Sequence, residues 1–159
     1  MIELVVILVI VGILAAIAIP RFIQAQANAR YQSIAAVLAQ AQAAANAVHA
    51  KAIVAGQTGS TGQITMDDGT VVAFVYGYPA GNDSGILKVI NTSITTNWYT
   101  RGDGRKATDF LIINQSYAVN RCYGSYWEPN ASNPIPIYKN LADIDPLSSN
   151  GAAGAEQCR

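Results

Sequence analysis

Seventeen consecutive residues near the start of the chain, Leu4 to Pro20, carry neither a charge nor a polar side chain. Glu3 stands just before this run and Arg21 just after it. As a helix rising about 1.5 Å per residue the run covers roughly 25 Å, against a hydrocarbon core of about 30 Å, so with its flanks it is long enough to span. It is apolar on every side and needs lipid or other helices around it. After Arg21 the pattern changes. Tyr31, Ile34, Leu38, Ala41, Ala45, Val48 and Ala52 recur at alternating intervals of three and four, while Gln24, Asn28, Gln32 and Gln42 fall on the other face. That spacing predicts a one-sided helix over residues 23–55, ended by Gly56. Residues 2–55 thus read as one long helix of roughly 80 Å, kinked at Pro20.

The second half of that helix needs a sheet to lie on. Gln63–Met66 and Val71–Tyr76 are strand-like runs around Asp67-Asp68-Gly69, a hairpin signal. Residues 77–82 form a turn cluster, and Ser84 is placed to cap a short helix over Gly85–Asn91. Further strands are expected at Asp109–Ile113 and Tyr117–Tyr123, and a weaker one at Ile135–Tyr138, flanked by Pro134 and Pro136. The tail over Ser148–Ala155 reads as loop. The expected fold is α+β: a long helix on an antiparallel sheet. Its organisation is a hydrophobic segment, 1–22, followed by a head, 23–159.

Ten basic and ten acidic residues cancel, and charged residues make up only 13% of the chain, so general attraction to nucleic acid or anionic lipid is disfavoured. A sparsely charged polar surface suits subunits packed against copies of themselves; a weakly charged secreted domain has the same surface. Cys122 and Cys158 are the two cysteines. In an exported protein such a pair reads as one disulfide, closing a loop of about 35 residues for roughly 4 kcal/mol; in a cytosolic protein it would be two thiols. No CxxC or Cys/His spacing favours zinc or redox chemistry. An ordinary secretory signal begins with basic residues and ends at a small-residue cleavage site, whereas here an acid leads and Pro20-Arg21 runs on into helix.

Glu3, the uncharged run with Gly12 inside it, and Pro20 before an amphipathic helix together resemble the N-terminal segment of mature type IV pilins, the subunits of bacterial surface filaments. The likeness covers the first twenty or so residues. In the family, Phe and then Thr or Ser precede the position of Met1, after a short basic leader ending in Gly; this chain is expected to be a mature subunit short of those two residues, the other reading being that Met1 is a true start and no such processing occurs. A second likeness, over roughly residues 45–90, rests on His49-Ala50-Lys51-Ala52, Gly56-Gln57, Val75-Tyr76-Gly77-Tyr78-Pro79 and Gly85-Ile86. It resembles the mannose-sensitive haemagglutinin branch, which implies surface attachment. The family resemblance implies the type IV pilin fold and a C-terminal region tied by Cys122–Cys158; no nucleophile with a base and orienting acid and no glycine-rich phosphate loop after a strand is seen in the sequence, so neither enzymatic activity nor a cofactor is expected. The resemblance also implies partners: identical subunits in a helical filament, the inner membrane before assembly, prepilin peptidase and the assembly machinery, and host or surface glycans. Localisation would be an extracellular pilus, serving attachment, motility or DNA uptake, with no specific nucleic acid predicted.

The resemblance makes Glu3, Gly12 and Pro20 assembly residues. An acid at the edge of a span costs free energy unless paired, so Glu3 calls for a cation, and in the family a neighbouring subunit's amino terminus is held to supply it. The same Glu aids methylation of that terminus. A snorkelling acid and a simply kinked helix are the plainer readings. Between Gly12 and Pro20 the helix is expected to be able to lose hydrogen bonds when subunits pack. His49 reads as a packed helix residue. Asp103, Asp143 and Asp145 lack an EF-hand spacing and read as turn or capping residues, leaving no metal site. Asn91, Asn114 and Asn130 begin Asn-x-Ser/Thr triplets, which chance explains. Among the aromatics Trp98, Tyr99, Tyr123, Tyr126, Trp127 and Tyr138, core packing is the commoner role, with Trp127 the candidate for surface binding. Two rivals stand beside the filament subunit: a pseudopilin of a type II secretion system, and a membrane-anchored binding or enzymatic domain that never assembles.

Overall fold

The computed structural model describes residues 2–90, 95–100, 106–111 and 123–140. Helix α1 runs Ile2–Val54, 53 residues, about 80 Å at 1.5 Å per residue. It passes without interruption through Pro20, which has no N–H to donate to the carbonyl of Ala16. Its end is built by Gly56 at φ 67°: the Gly56 N–H donates to Ile53 at 3.0 Å and the Gln57 N–H to Ala52 at 2.8 Å, a Schellman arrangement that satisfies two terminal carbonyls.

Strands β1 (Gly62–Thr65) and β2 (Val71–Val75) form an antiparallel hairpin, with Thr65 opposite Val71. The Gly69 N–H closes its turn onto Met66 at 3.0 Å, and Gly69 takes φ 83°, the conformation that glycine adopts without a Cβ clash. The residues after β2 do not form a loop cluster throughout. Tyr76 (φ 50°) and Gly77 (φ 78°) make a two-residue turn with Val75 opposite Tyr78, so β3 (Tyr78–Pro79) returns along β2. Helix α2 covers Ile86–Val89 only, and its first turn is not capped by Ser84. The Ser84 carbonyl instead accepts from Ala73 N–H at 2.8 Å, and the Ile86 N–H is met by the Ala80 carbonyl at 2.9 Å. Close approach of that loop explains Gly85, whose Cβ would lie 2.1 Å from the Ala80 oxygen.

A second antiparallel sheet holds β4 (Thr95–Thr100), β5 (Lys106–Leu111), β6 (Tyr123–Trp127) and β7 (Ile137–Asn140), in chain order. The one sheet expected is therefore two. β4 was not foreseen, and β5 and β7 are each displaced by two or three residues from the expected runs. The strand expected over Tyr117–Tyr123 lies, apart from Tyr123, outside the described residues, as do Cys122, Cys158, Asn91, Asn114, Asp103, Asp143, Asp145 and the tail at Ser148–Ala155. The protein is thus mixed α+β, a long N-terminal helix on small antiparallel sheets.

Both sheets use α1 as their common floor. One core cluster joins Ile34, Leu38, Ala41 and Ala45 to Ile86, Ile90 and Tyr126; a second joins Val48 and Ala52 to Ile64, Val72 and Phe74. Every stripe position from Ile34 to Ala52 is buried, Tyr31 is half-buried, and Ala27 and Val37 join them. The opposite-face residues Gln24, Asn28, Gln32 and Gln42 are all exposed. The helix lies closest to β6 at Gly124, where a Cβ would stand 2.8 Å from Leu38 Cγ and 2.9 Å from Ile34 Cγ2. Tyr126 connects the two sheets by donating from its buried hydroxyl to the Pro79 carbonyl at 2.6 Å.

Candidate functional site: the exposed apolar half of helix α1

Burial on α1 starts at Ala27; the segment before it touches no other part of the fold closely enough to be covered. Fifteen large apolar side chains between Ile2 and Ile23 are exposed. At roughly 1.5–3 kcal/mol for each, leaving them in water would cost on the order of 20–45 kcal/mol, more than the 5–15 kcal/mol that stabilises a typical domain. Such a surface does not stay wet. By length and hydropathy this helix can cross a membrane, and nothing in its apolar window is buried within the molecule.

Within this segment the three residues singled out from the sequence fall on one rod and do not converge on a pocket. Glu3 is exposed in the first turn of α1. Gly12 has open space where a Cβ would be, with nothing within 4 Å, so the isolated chain gives no steric reason for glycine there. Pro20 is exposed and Arg21 follows it, also exposed. The backbone from Gly12 to Pro20 is helical in the single chain, the starting state that the expectation of later unwinding requires.

The head holds the rod at a fixed exit. His49, half-buried, stacks on Tyr78 with ring centroids 3.8 Å apart and planes 5° from parallel, and its Nδ1–H donates to the Gly77 carbonyl at 3.2 Å. It thereby docks the β2–β3 turn onto α1. Glu128, 5% exposed, accepts from the Gly81 N–H at 2.8 Å and from the Lys106 N–H at 3.1 Å, tying the loop before α2 to the start of β5. Sequence reasoning missed Glu128: an acid after two aromatics gives no periodic signal. Burial holds the Tyr138 phenol protonated, pushing its pKa up to about 12, with Tyr78 adding to the effect.

Trp127, the candidate for surface binding among aromatics whose commoner role is core packing, is largely covered in the single chain. It is 9% exposed, on β6, and Lys139 Nζ lies 4.4 Å from its ring centroid. Its indole packs into the head beneath that ammonium. Asn130 and Asn133 bridge to one another, with the Asn133 N–H donating to Asn130 Oδ1 at 2.7 Å. A groove of about 340 Å³ between α1, the hairpin turn and α2 is lined by Ala44, Met66, Asp67, Asp68 and Lys88 among others. Among the described residues no group of three or more His, Cys, Asp or Glu side chains is placed to hold a metal ion. Comparison of the chain with protein-family models, with curated proteins and with solved structures finds no match.

Proposed function

We propose that the protein is a structural subunit of a bacterial type IV pilus, which leaves the inner membrane to polymerise through its N-terminal helix. One observation carries this: a single helix whose second half is the floor of a folded head and whose first half is bare apolar surface. A bilayer covers the bare half before assembly, and copies of the same rod cover it afterwards. Lipid already provides most of the benefit of leaving water, so close helix packing and neutralisation of Glu3 must supply the preference for the filament. Gly12 supports this reading, since the single chain leaves open space beside it. The filament's role is attachment, with motility or DNA uptake as further uses, and the protein performs no chemistry of its own.

The test uses fibres sheared from producing cells, imaged and then identified by mass spectrometry of the intact chain. The expected result is fibres made of this polypeptide with a methylated amino terminus. Glu3→Ala should leave the protein in the membrane and deplete the fibres. Fibres that lack the polypeptide, or a mature terminus produced by cleavage near Ala18, would overturn the proposal.

A further inference from the structure

We infer that, in the membrane-bound subunit, Arg21 binds the phosphate of a phospholipid headgroup and so fixes the depth at which the rod sits. The inference rests on the membrane stage of the reading above and adds to it a partner for the rod's first cation. Arg21 is the only charged residue between Glu3 and Arg30. It is exposed, and among the described residues its guanidinium has no hydrogen bond or ion pair. One helical turn to either side of it stand Ile17, Ala18, Gln24 and Ala25, none of which can neutralise it.

Its place along the helix supplies the partner. The apolar run from Leu4 to Pro20 fills most of a hydrocarbon core about 30 Å thick, so Arg21 falls at the edge of that core on the head side. The polar headgroups add about 5–8 Å on each face of a bilayer. Ala27, the first covered residue of α1, lies about 9 Å past Arg21 along the axis. The head therefore starts where the headgroups end, and residues 22–26 cross the layer between. Phe22 is 67% exposed there, and the amides of Gln24 and Gln26 are exposed and neutral. Arg30, half-buried and about 13 Å beyond Arg21, is past the headgroups. Arg21 is thus the one full charge at this level. Its stem can lie along the apolar rod while the charged end reaches outward. A guanidinium beside hydrocarbon is held best by an anion that meets its planar fork with two oxygens, and a lipid phosphodiester presents two at that depth.

Solid-state NMR of the full chain in vesicles of phosphatidylethanolamine and phosphatidylglycerol tests the contact. The dipolar coupling between arginine guanidinium carbon and lipid phosphorus is seen only when the two groups touch. The unaltered chain should show it, Arg21→Gln should lose about two-thirds of it or more, and Arg30→Gln should keep it. Flotation of each chain with its vesicles shows separately that the anchor is intact. A second readout follows depth, with Phe22→Trp as a reporter quenched by brominated lipids. Adding Arg21→Gln to that chain should move the strongest quenching from bromines near the headgroup towards bromines near mid-chain. An unchanged quenching profile would overturn the claim on depth. Coupling undiminished in Arg21→Gln, or absent from an unaltered chain that floats with its vesicles, would overturn the phosphate contact and leave the membrane reading standing. Failure of the unaltered chain to float would instead remove the membrane reading itself.

Discussion

The two halves of α1 share one backbone and one geometry, yet they keep their apolar residues for different partners. From Ala27 to Ala52 the large apolar side chains repeat on one face, and that face is covered by the chain's own sheets. From Ile2 to Ile23 they occupy all faces, and the head covers none of them. A helix apolar on one side can be finished by its own chain. A helix apolar all round must be finished from outside. The boundary falls just past the point where Arg21, Gln24 and Gln26 bring polar side chains back into the sequence.

One truncation applied to both halves gives the sharpest test. Ile34 is 0% exposed, so Ile34→Ala should lower the unfolding free energy of the head by about 2–5 kcal/mol. Ile10, which is exposed, should change it by less than about 0.5 kcal/mol when replaced by Ala. Denaturant unfolding of the detergent-solubilised chain, followed by tryptophan fluorescence, measures both. Equal losses would mean that the first half is stabilised by the head after all.

Glycine offers the second comparison. At Gly124 an added methyl meets Leu38 and Ile34 at 2.8–2.9 Å, so Gly124→Ala should cost about 1–3 kcal/mol as the helix is pushed off β6. At Gly12 there is nothing to meet, and Gly12→Ala should leave the head's unfolding unchanged and favour the isolated helix by up to about 1 kcal/mol. If Gly12 serves close packing between copies, fibre yield falls in that variant while the melt does not.

The sequence made the long-range plan legible where one residue type sufficed to state it. The uncharged run, the three-and-four stripe and the Asp67-Asp68-Gly69 turn each follow from local chemistry, and Glu3 stood out because so few charges surround it. What escaped was set by contacts across the fold. Tyr78-Pro79 looks like turn material, and becomes strand because Tyr76 and Gly77 both take positive φ. β6 reads Tyr-Gly-Ser-Tyr-Trp, whose central small residues break the pattern of a strand; Gly124 is small because α1 passes there. β4 is rich in threonine and aromatics without alternation, and propensity alone marks it. How far Trp127 is covered depends on which way β6 faces, which no local pattern states.

A pH titration probes the head without touching the rod. Tyr138 has a hydroxyl without a hydrogen-bond partner among the described residues, and its pKa stands at about 12 against an ordinary value of 10. The folded state therefore keeps the proton longer than the unfolded chain. Its contribution is full below pH 10 and is lost as pH rises from 10 towards 12. Denaturant midpoints should fall across that window, and Tyr138→Phe, which sacrifices no hydrogen bond, should flatten the fall.

The smallest effect is expected where two charges meet in water. Lys51, near the end of α1, pairs with Asp67 in the hairpin turn, and the Asp67 side chain is 90% exposed. Such a pair gains little Coulomb energy and spends side-chain freedom to form, so its coupling should be no more than about 0.5 kcal/mol. A double-mutant cycle with Lys51→Ala and Asp67→Ala isolates that coupling from the packing of the half-covered lysine stem, since the stem's loss appears in both arms and cancels. The coupling should shrink further in salt, as the screening length drops from about 10 Å at 0.1 M to about 3 Å at 1 M. A Lys51–Asp67 coupling above about 1 kcal/mol, unchanged by salt, would show that the head shields this pair from water.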